Sequence, residues 1–384
     1  MLIVVLILLT FIFIAAIVRD VLSARRIPLL TPSPPAQMNL PLLMVLIPAR
    51  NEALRLGQCL AGLVAQDMRD LPVLVVDDGS TDGTAEVAQA WEAALPQLRV
   101  VHGAPLPPGW AGKCWACWQA AQAADTEWLL FLDADTAPQP GMVASLIAYA
   151  TANRIDLLTL VPLWELKSFG ERMLMPPFSG LIQAIYPLDR INDAHSPLAL
   201  ANGQCILIRR AVYFAVDGHR AVRDSVLEDV RIGQVVKQAG YRLRVVGGPD
   251  LMHVRMYTNL REVVDGLRKN AIAGFLAGGT LRSTWGGFRQ ALLALGPLVL
   301  IGSSAVLAVL NSSVAAPVLV FGIGLLALML SYWGYVIHRM NRLHPIWALL
   351  YPIGTIYYFA IAAQALWSIV RGRGVTWKGR TYQG

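Results

Sequence analysis

Short apolar runs alternate with longer stretches of helical periodicity through the first half of the chain. The apolar runs have the length of buried strands and occupy residues 42–47, 73–76, 98–101, 128–132 and 155–161. The helical stretches occupy residues 53–66, 84–94, 113–124 and 141–152. Strands that alternate with crossover helices form sheets covered on both faces, so this pattern predicts an α/β domain with a mostly parallel sheet.

The later part of this domain is predicted to contain further strands at residues 199–208 and 241–246, with a helix over 228–239 between them. Two apolar stripes at helical spacing, over residues 178–185 and 260–275, flank this region. Such stripes suit helices at a membrane surface, a cover over a pocket, or ordinary core packing.

Long apolar segments at both ends of the chain are typical of membrane helices. Residues 1–18 carry no charged side chain, and a helix of that length spans about 27 Å, close to the hydrocarbon core of roughly 30 Å. Residues 291–310, 316–337 and 346–370 form similar segments. We therefore expect an N-terminal transmembrane helix at 1–18 and C-terminal membrane segments within 289–370.

Basic residues flank these segments. A basic, proline-rich linker at residues 19–41 follows the first one, and a basic tail at 371–384 follows the last. The positive-inside rule then predicts a multi-pass protein of the inner (cytoplasmic) membrane, with its central domain and tail in the cytoplasm. Four complete spans would instead place the tail outside. A re-entrant last segment, 346–370, is one way to remove this conflict.

Composition adds two constraints. The 384 residues are 55% hydrophobic and 15% charged, with a formal net charge of +7, which is too apolar for an ordinary soluble domain. The positive balance suits a membrane surface or a phosphorylated substrate, and no basic motif interleaved with aromatic residues indicates nucleic acid. Cys114 and Cys117 form a C-x-x-C, which suits packing thiols, a redox pair or half of a zinc site.

Acidic residues follow two of the predicted strands. Asp133 and Asp135 come directly after the strand at 128–132, and Asp78 follows the strand at 73–76. Parallel strands end at one edge of a sheet, where ligands bind, so these acids are predicted to share a crevice. Mg²⁺ is held by one or two carboxylates and by substrate phosphates. The pattern indicates a divalent-metal site for a diphosphate substrate; plain capping of a strand and a helix is the alternative.

Five motifs in this order resemble those of the inverting family 2 glycosyltransferases, which have a nucleotide-sugar-binding GT-A fold. The matching residues are Pro48-Ala-Arg50-Asn-Glu52, Val76-Asp-Asp78-Gly-Ser-Thr-Asp-Gly-Thr84, Gly112-Lys113, Asp133-Ala-Asp135 and Glu228-Asp229. The resemblance implies a GT-A catalytic domain with interfacial helices at residues 42–275. More narrowly, Pro107-Pro-Gly-Trp-Ala-Gly-Lys113 and Val375-Thr-Trp-Lys-Gly-Arg380 look like motifs of the hopene-associated glycosyltransferases.

The resemblance implies a role for each motif. Asp229 is the base that takes the proton from the acceptor, with Glu228 as its support. Asp135 and Asp133 bind Mg²⁺ or Mn²⁺, which stabilises the departing nucleoside diphosphate. The substrate-binding candidates are Pro48, Arg50, Glu52, Asp78, Lys113, Asp133, Arg255, Arg268 and Lys269. Turns, helix N-termini and a basic helix face on the membrane are the structural alternatives for these residues.

The implied activity is transfer of one sugar from a nucleotide-diphosphate sugar to a membrane lipid, with a hopanoid as the candidate acceptor. The Gln-x-x-Arg-Trp motif of processive members is missing after the acid pair, where residues 267–272 read Leu-Arg-Lys-Asn-Ala-Ile. Alternatives are a ceramide-glucosyltransferase-like or polyprenyl-phosphate glycosyltransferase, a nucleotidyltransferase, and a membrane scaffold or transporter subunit with a degenerate nucleotide-binding domain. A degenerate domain is expected to lose the acids that this chain retains.

Overall fold

A computed structural model describes residues 2–32, 41–68, 70–371, 375–377 and 380–382. The strands are β1 (Leu43–Ala49), β2 (Val73–Asp77), β3 (Leu98–His102), β4 (Trp128–Leu132), β5 (Thr136–Pro138), β6 (Leu157–Val161), β7 (Leu163–Trp164), β8 (Cys205–Arg209), β9 (Leu243–Gly247), β10 (Met252–Val254), β11 (Val375–Trp377) and β12 (Arg380–Tyr382). The helices are α1 (Leu2–Arg25), α2 (Leu56–Val64), α3 (Thr84–Gln89), α4 (Gly112–Gln122), α5 (Met142–Ala152), α6 (Phe169–Ile185), α7 (Leu188–Asn192), α8 (Arg210–Ala215), α9 (Gly218–Ala221), α10 (Glu228–Gln238), α11 (Leu260–Gly278), α12 (Thr280–Val309), α13 (Ala315–Asn341) and α14 (Tyr351–Val370), and a 3₁₀ helix (Pro345–Leu350) precedes α14.

The central sheet has seven strands in the order β3-β2-β1-β4-β8-β6-β9. All neighbouring pairs are parallel except those that β8 makes with β4 and β6. The prediction of a mostly parallel sheet is therefore confirmed. The short strands β5, β10 and β7 form a second sheet, which the apolar pattern did not predict because each has only two or three residues.

Alternate side chains of the central strands enter two separate cores. Val45 and Ile47 of β1 pack on one face with α2 and α5, while Leu46 packs on the other with α4 and α10. Residues one apart on a strand point to opposite faces, so a strand with both faces covered is apolar throughout. This burial holds the strand ends rigid beneath the loops that carry the acidic motifs.

The terminal helices form a separate apolar cluster. Phe13 and Ile17 of α1 pack with side chains of α12 and α13. Four helices are long and apolar enough to cross a membrane, within the described residues. α1 continues to Arg25, beyond the predicted boundary at residue 18, so the first part of the expected linker is helical. Residues 33–40 of that linker and half of the basic tail lie outside the described part of the chain.

Helices α6, α11 and α14 pack together beside the sheet. Phe178 of α6, Leu267 of α11 and Tyr358 of α14 belong to one buried cluster, so part of each apolar stripe packs against protein, while Leu260 is exposed. α6 begins at Phe169 and includes Pro176 and Pro177, which precede the predicted stripe at 178–185. Gly354 allows the close approach of α14, because a Cβ at that position would lie 2.1 Å from the carbonyl oxygen of Met173.

Candidate active site

The loops after β1 and β2 are tied together at the carboxyl edge of the sheet. The backbone N–H of Glu52 donates to Thr84 Oγ1 over 2.9 Å, and that of Ala53 donates to Asp82 Oδ2 over 3.1 Å. The second loop also turns through Gly83 at a φ of 88°, a conformation that favours glycine. These bonds place Glu52 at the wall of the cavity described below.

Arg50 and Asp78 form the base of this wall. The Arg50 guanidinium donates to the backbone carbonyl of Asp78 and lies 3.8 Å from its carboxylate. Asp78 is buried, and Pro48 lies within β1 opposite Val76. None of the three candidates lines the cavity directly. In the free protein, Arg50 and Asp78 therefore brace the loops around it.

Lys113, in the first turn of α4, joins the third acidic loop to α10. Its Nζ lies 2.7 Å from Asp133 Oδ1 and 2.8 Å from Glu228 Oε1. Burial favours loss of its proton, but the two carboxylates outweigh burial and hold the pKa of Lys113 well above its usual range. Burial likewise opposes ionisation of Glu228, yet Lys113 holds the pKa of that carboxyl below its usual range. The lysine therefore links two acidic side chains from distant parts of the sequence.

Asp229 lies beside this ion pair with a different environment. Its Oδ2 accepts a hydrogen bond from the backbone N–H of Gly203 over 2.9 Å, and its Oδ1 accepts one from Val230 over 2.8 Å. Burial, and then the charge of Glu228, raise the pKa of Asp229 to about 6. A carboxylate with that pKa is ionised at neutral pH and more basic than an ordinary aspartate, which suits a general base.

Gly203 allows these groups to converge. A Cβ at this position would lie 3.1 Å from both Asp229 Oδ2 and Lys113 Nζ. The loop that carries Gly203 is itself held by Asn202, whose side chain donates to the Leu160 carbonyl over 3.0 Å. Gly203 was not predicted as a site residue because it fell inside the strand predicted over 199–208, whereas the strand begins only at Cys205.

The donor set beside Asp133 fits a divalent cation. Asp133, Asp135 and Glu52 all line the cavity, and their oxygen atoms are the ligands that Mg²⁺ and Mn²⁺ prefer. Asp133 already contacts Lys113, which leaves Asp135 as the principal candidate ligand. No cluster of three His, Cys, Asp or Glu side chains suited to a metal occurs in the described ranges. A cation here would therefore take further ligands from a bound diphosphate.

The three later basic candidates lie in different environments. Lys269 lines the cavity, where burial lowers its pKa and Glu228 opposes that shift. Arg255 instead lies 3.4 Å from Glu171, the acid of the α6 capping box, and Arg268 lies 3.4 Å from Asp265. Neither arginine lines the cavity. Of these three candidates, Lys269 is thus the one that lines the cavity together with the acid cluster.

The cavity that these residues line has a volume of about 1200 Å³ and two chemically distinct ends. One end carries Glu52, Lys113, Asp133, Asp135 and Asp229. The other extends between the membrane helices and is lined by apolar and aromatic side chains, among them Phe178, Leu181, Ile182, Phe288, Phe359 and Leu366. A polar substrate and an apolar substrate can therefore meet at Asp229. Arg55 also lines the polar end, between Glu52 and Glu262, and sequence reasoning missed it.

The cysteines take no part in this site. Cys114 and Cys117 are free thiols buried on α4, and Cys59 and Cys205 are free and buried elsewhere. Cys117 belongs to the core cluster beneath the sheet. Of the three interpretations of the C-x-x-C motif, the burial of both free thiols favours packing thiols.

Comparison with known proteins agrees with this geometry. Residues 44–215 match the family model described as Glycosyl transferase family 2. Over 353 residues the chain is 28% identical to the 4,4'-diaponeurosporenoate glycosyltransferase of Staphylococcus aureus (strain MRSA252), covering 88% of each chain. The similar protein from strain USA300 is also 28% identical over 353 residues.

A solved structure shares the architecture. The mannosyltransferase PcManGT from Pyrobaculum calidifontis, in complex with GDP-Man and Mn²⁺, matches with a TM-score of 0.56 and 20% identity, covering 96% of this chain and 99% of that one. The fold is therefore GT-A-like, with terminal apolar helices that can cross a membrane.

Proposed function

We propose that this chain is a membrane-bound, inverting glycosyltransferase that moves one sugar from a nucleotide-diphosphate sugar to a lipid acceptor. The observation that carries the proposal is the single cavity, which joins the acid cluster around Asp229 to an apolar region between the membrane helices. The named substrate of the Staphylococcus aureus relative supports a lipid-type acceptor. The GDP-Man and Mn²⁺ bound to the Pyrobaculum mannosyltransferase support a nucleotide-sugar donor and a divalent cation.

In this proposal Asp229 accepts the proton of the acceptor as its oxygen attacks the anomeric carbon. The two backbone N–H groups on Asp229 fix the direction of its carboxylate, and Lys113 keeps Glu228 and Asp133 charged and in place. Asp135, with Asp133, would hold Mg²⁺ or Mn²⁺, which would stabilise the negative charge of the leaving diphosphate. Glu52, Arg55 and Lys269 line the same end of the cavity and would contact the donor.

The identity of the lipid acceptor is inferred from the motif resemblance. The motif resemblance favours a hopanoid, and ceramide-like or polyprenyl-phosphate acceptors are the alternatives. The basic flanks of the spans support a catalytic domain at the cytoplasmic face of the inner membrane, where nucleotide sugars are supplied. The missing Gln-x-x-Arg-Trp motif supports a single transfer.

The test is to incubate the purified full-length protein with a panel of nucleotide sugars, Mn²⁺ and a bacterial lipid extract, and to analyse products by mass spectrometry. We expect one lipid to gain the mass of one sugar, and the Asp229→Asn variant to lose this product. Transfer of a nucleotidyl group would favour a nucleotidyltransferase instead. Failure of every sugar and lipid combination would contradict the proposed function.

A further inference from the structure

Two buried hydroxyl groups line the cavity beyond the acid cluster. Tyr186 directly follows α6 with 5% of its surface exposed, and Ser283 lies in the first turn of α12 with 8% exposed. Neither Tyr186 Oη nor Ser283 Oγ has a hydrogen-bond partner among the residues that the structure describes. Buried polar atoms are nearly always hydrogen-bonded, so two unsatisfied hydroxyls in one cavity indicate a ligand that completes them.

The two hydroxyls belong to one junction. α12 packs tightly on the end of α6, because a Cβ on Gly286 would lie 2.8 Å from Ile185 Cγ1. Ser283 lies on the same face of α12 as Gly286, three residues earlier, and Tyr186 is the neighbour of Ile185. The charges nearest to the Tyr186 phenol include those of Arg282 and Asp229. Tyr186 and Ser283 therefore line the same cavity as the proposed catalytic base, Asp229.

We propose that Tyr186 and Ser283 bind the reactive end of the acceptor and select a hydroxyl-bearing group, an alcohol or an un-ionised carboxyl, over a phosphate. This inference rests on the proposed function and names the acceptor chemistry of the same site. Burial raises the pKa of Tyr186, so its phenol stays neutral and donates a hydrogen bond. A hydroxyl on the acceptor can accept that bond while donating its own proton to Asp229.

The charges around this position disfavour a phosphate. Glu228 and Asp229 are carboxylates that repel a second anion. Lys113 contacts Asp133 and Glu228, Lys269 faces the charge of Glu228, and Arg339 lines the cavity from α13. Arg282 is exposed and does not line the cavity. A phosphate at the Tyr186 and Ser283 hydroxyls would add an anion beside these carboxylates, which is unfavourable, whereas a neutral hydroxyl is satisfied by Tyr186, Ser283 and the base.

The proposed transfer forms one bond at the anomeric carbon and breaks one. The acceptor oxygen forms a bond to the anomeric carbon, and the bond from that carbon to the diphosphate oxygen breaks. The diphosphate leaves with the electron pair, and the acceptor proton passes to Asp229. The apolar body of the acceptor would occupy the region lined by Phe178, Leu181, Phe288 and Phe359.

The experiment uses the full-length protein in phosphatidylcholine vesicles that contain graded mole fractions of a bacterial lipid extract. Transfer of labelled sugar into the organic phase is measured. For Tyr186→Phe and for Ser283→Ala, we expect the half-saturating mole fraction of extract to rise about 3- to 10-fold, the loss expected for one neutral hydrogen bond. The KM for the nucleotide sugar should stay within about twofold. Activity at saturating extract verifies that each variant is folded.

The control variants remove a phenol hydroxyl and a serine hydroxyl at positions outside the proposed acceptor site. Tyr149→Phe deletes a phenol on α5, outside the cavity, and Ser303→Ala deletes a hydroxyl later on α12 that bonds the Val299 carbonyl. Both should match the parent protein. An unchanged half-saturating mole fraction in both Tyr186→Phe and Ser283→Ala would overturn the assignment.

Product analysis distinguishes the acceptor sources. Mild alkali releases sugar from a carboxyl ester but not from an alcohol glycoside, and either product agrees with the inference. A labelled product whose sugar is bonded through a phosphate oxygen would overturn it while leaving the proposed glycosyl transfer intact. A parent protein that hydrolyses the donor with water, yet labels no lipid, would refute the proposed function, and this inference with it.

Discussion

At the scale of single residues, Asp229 and Asp133 are the same type of side chain in two different electrostatic environments. Asp133 contacts the Lys113 ammonium, whereas Asp229 receives only neutral backbone N–H groups and faces the charge of Glu228. A cation stabilises an ionised acid far more than a neutral donor does. Burial raises the pKa of both carboxyls; Lys113 opposes this shift at Asp133, whereas the charge of Glu228 adds to it at Asp229.

Asp229→Asn keeps the shape of the side chain but removes its ability to accept a proton. We expect kcat to fall about 10²- to 10⁴-fold, the usual contribution of a general base, with donor binding nearly unchanged. Steady-state kinetics of sugar transfer measures this, with the exposed Glu92→Gln as a control. Transfer at the parental rate by Asp229→Asn would rule out the role of base.

The pH dependence of kcat should follow the same carboxyl. The base works only when ionised, and its pKa is raised to about 6, so kcat should fall as the pH drops through about 6 and approach a plateau above about 7. An unperturbed aspartate would retain activity down to about pH 4. A flat profile between pH 5 and 7 would contradict the assignment of Asp229.

Asp135 is the residue expected to depend on the metal. Asp135→Ala should abolish turnover and remove the Mn²⁺ dependence of nucleoside-diphosphate binding, because the carboxylate would connect the cation to the protein. Calorimetric titration with and without Mn²⁺ tests this, and the exposed Asp125→Ala serves as a control. Full activity of the parent protein in EDTA would refute the metal site.

At the scale of elements, a buried ion pair joins the first and second membrane helices. Arg289 of α12 contacts Asp20 of α1 over 2.5 Å, and the hydroxyl of Tyr332 on α13 donates to the same carboxylate over 3.4 Å. Both charged side chains are only 14% exposed. Asp20 also lines the cavity, so this contact holds α1 at its wall.

Arg289→Met should destabilise the protein by about 3–5 kcal/mol, because it leaves the Asp20 carboxylate buried without its cation. Thermal unfolding in detergent measures the loss. The double variant Asp20→Asn with Arg289→Met should recover much of it, since no charge is then left unpaired. A double variant less stable than Arg289→Met alone would show that the pair does not act as a unit.

At the scale of the whole molecule, the contacts of α14 bear on the membrane topology. α14 lies along α6, with Gly354 against the Met173 carbonyl and the Tyr358 ring 6.1 Å from that of Phe178. The strand β11, which follows it, lies against α11. More of α14 is buried within the protein than of the other apolar helices, 39% against 22–28%. These contacts favour a helix held against the catalytic domain over a fourth span.

We therefore expect α1, α12 and α13 to cross the membrane and the C-terminus to lie on the same side as the catalytic domain. Green fluorescent protein fused to the C-terminus should fluoresce, and alkaline phosphatase fused there should be inactive. Phosphatase inserted after Asn311, in the turn between α12 and α13, should be active. Active phosphatase at the C-terminus would establish a fourth span.

The sequence alone determined the class of fold and the composition of the acid cluster. Apolar runs of strand length, each followed by a helical stretch, are a local property, and parallel strands must end at one edge. Asp133 and Asp135, which line one cavity, were therefore predictable as neighbours, whereas Asp78 lies outside the lining beside Arg50. Hydropathy likewise located the membrane helices, because the bilayer sets their length.

Only the tertiary structure decided which distant groups meet. Lys113 contacts both Asp133 and Glu228, two residues whose numbers differ by 95. The backbone N–H of Gly203 reaches Asp229 from another loop. The partner of Arg255, the packing of α6 against α11, and the position of Tyr186 and Ser283 in one cavity arise in the same way. Periodicity records whether a side chain is buried but not what buries it, because that depends on the packing of elements remote in sequence.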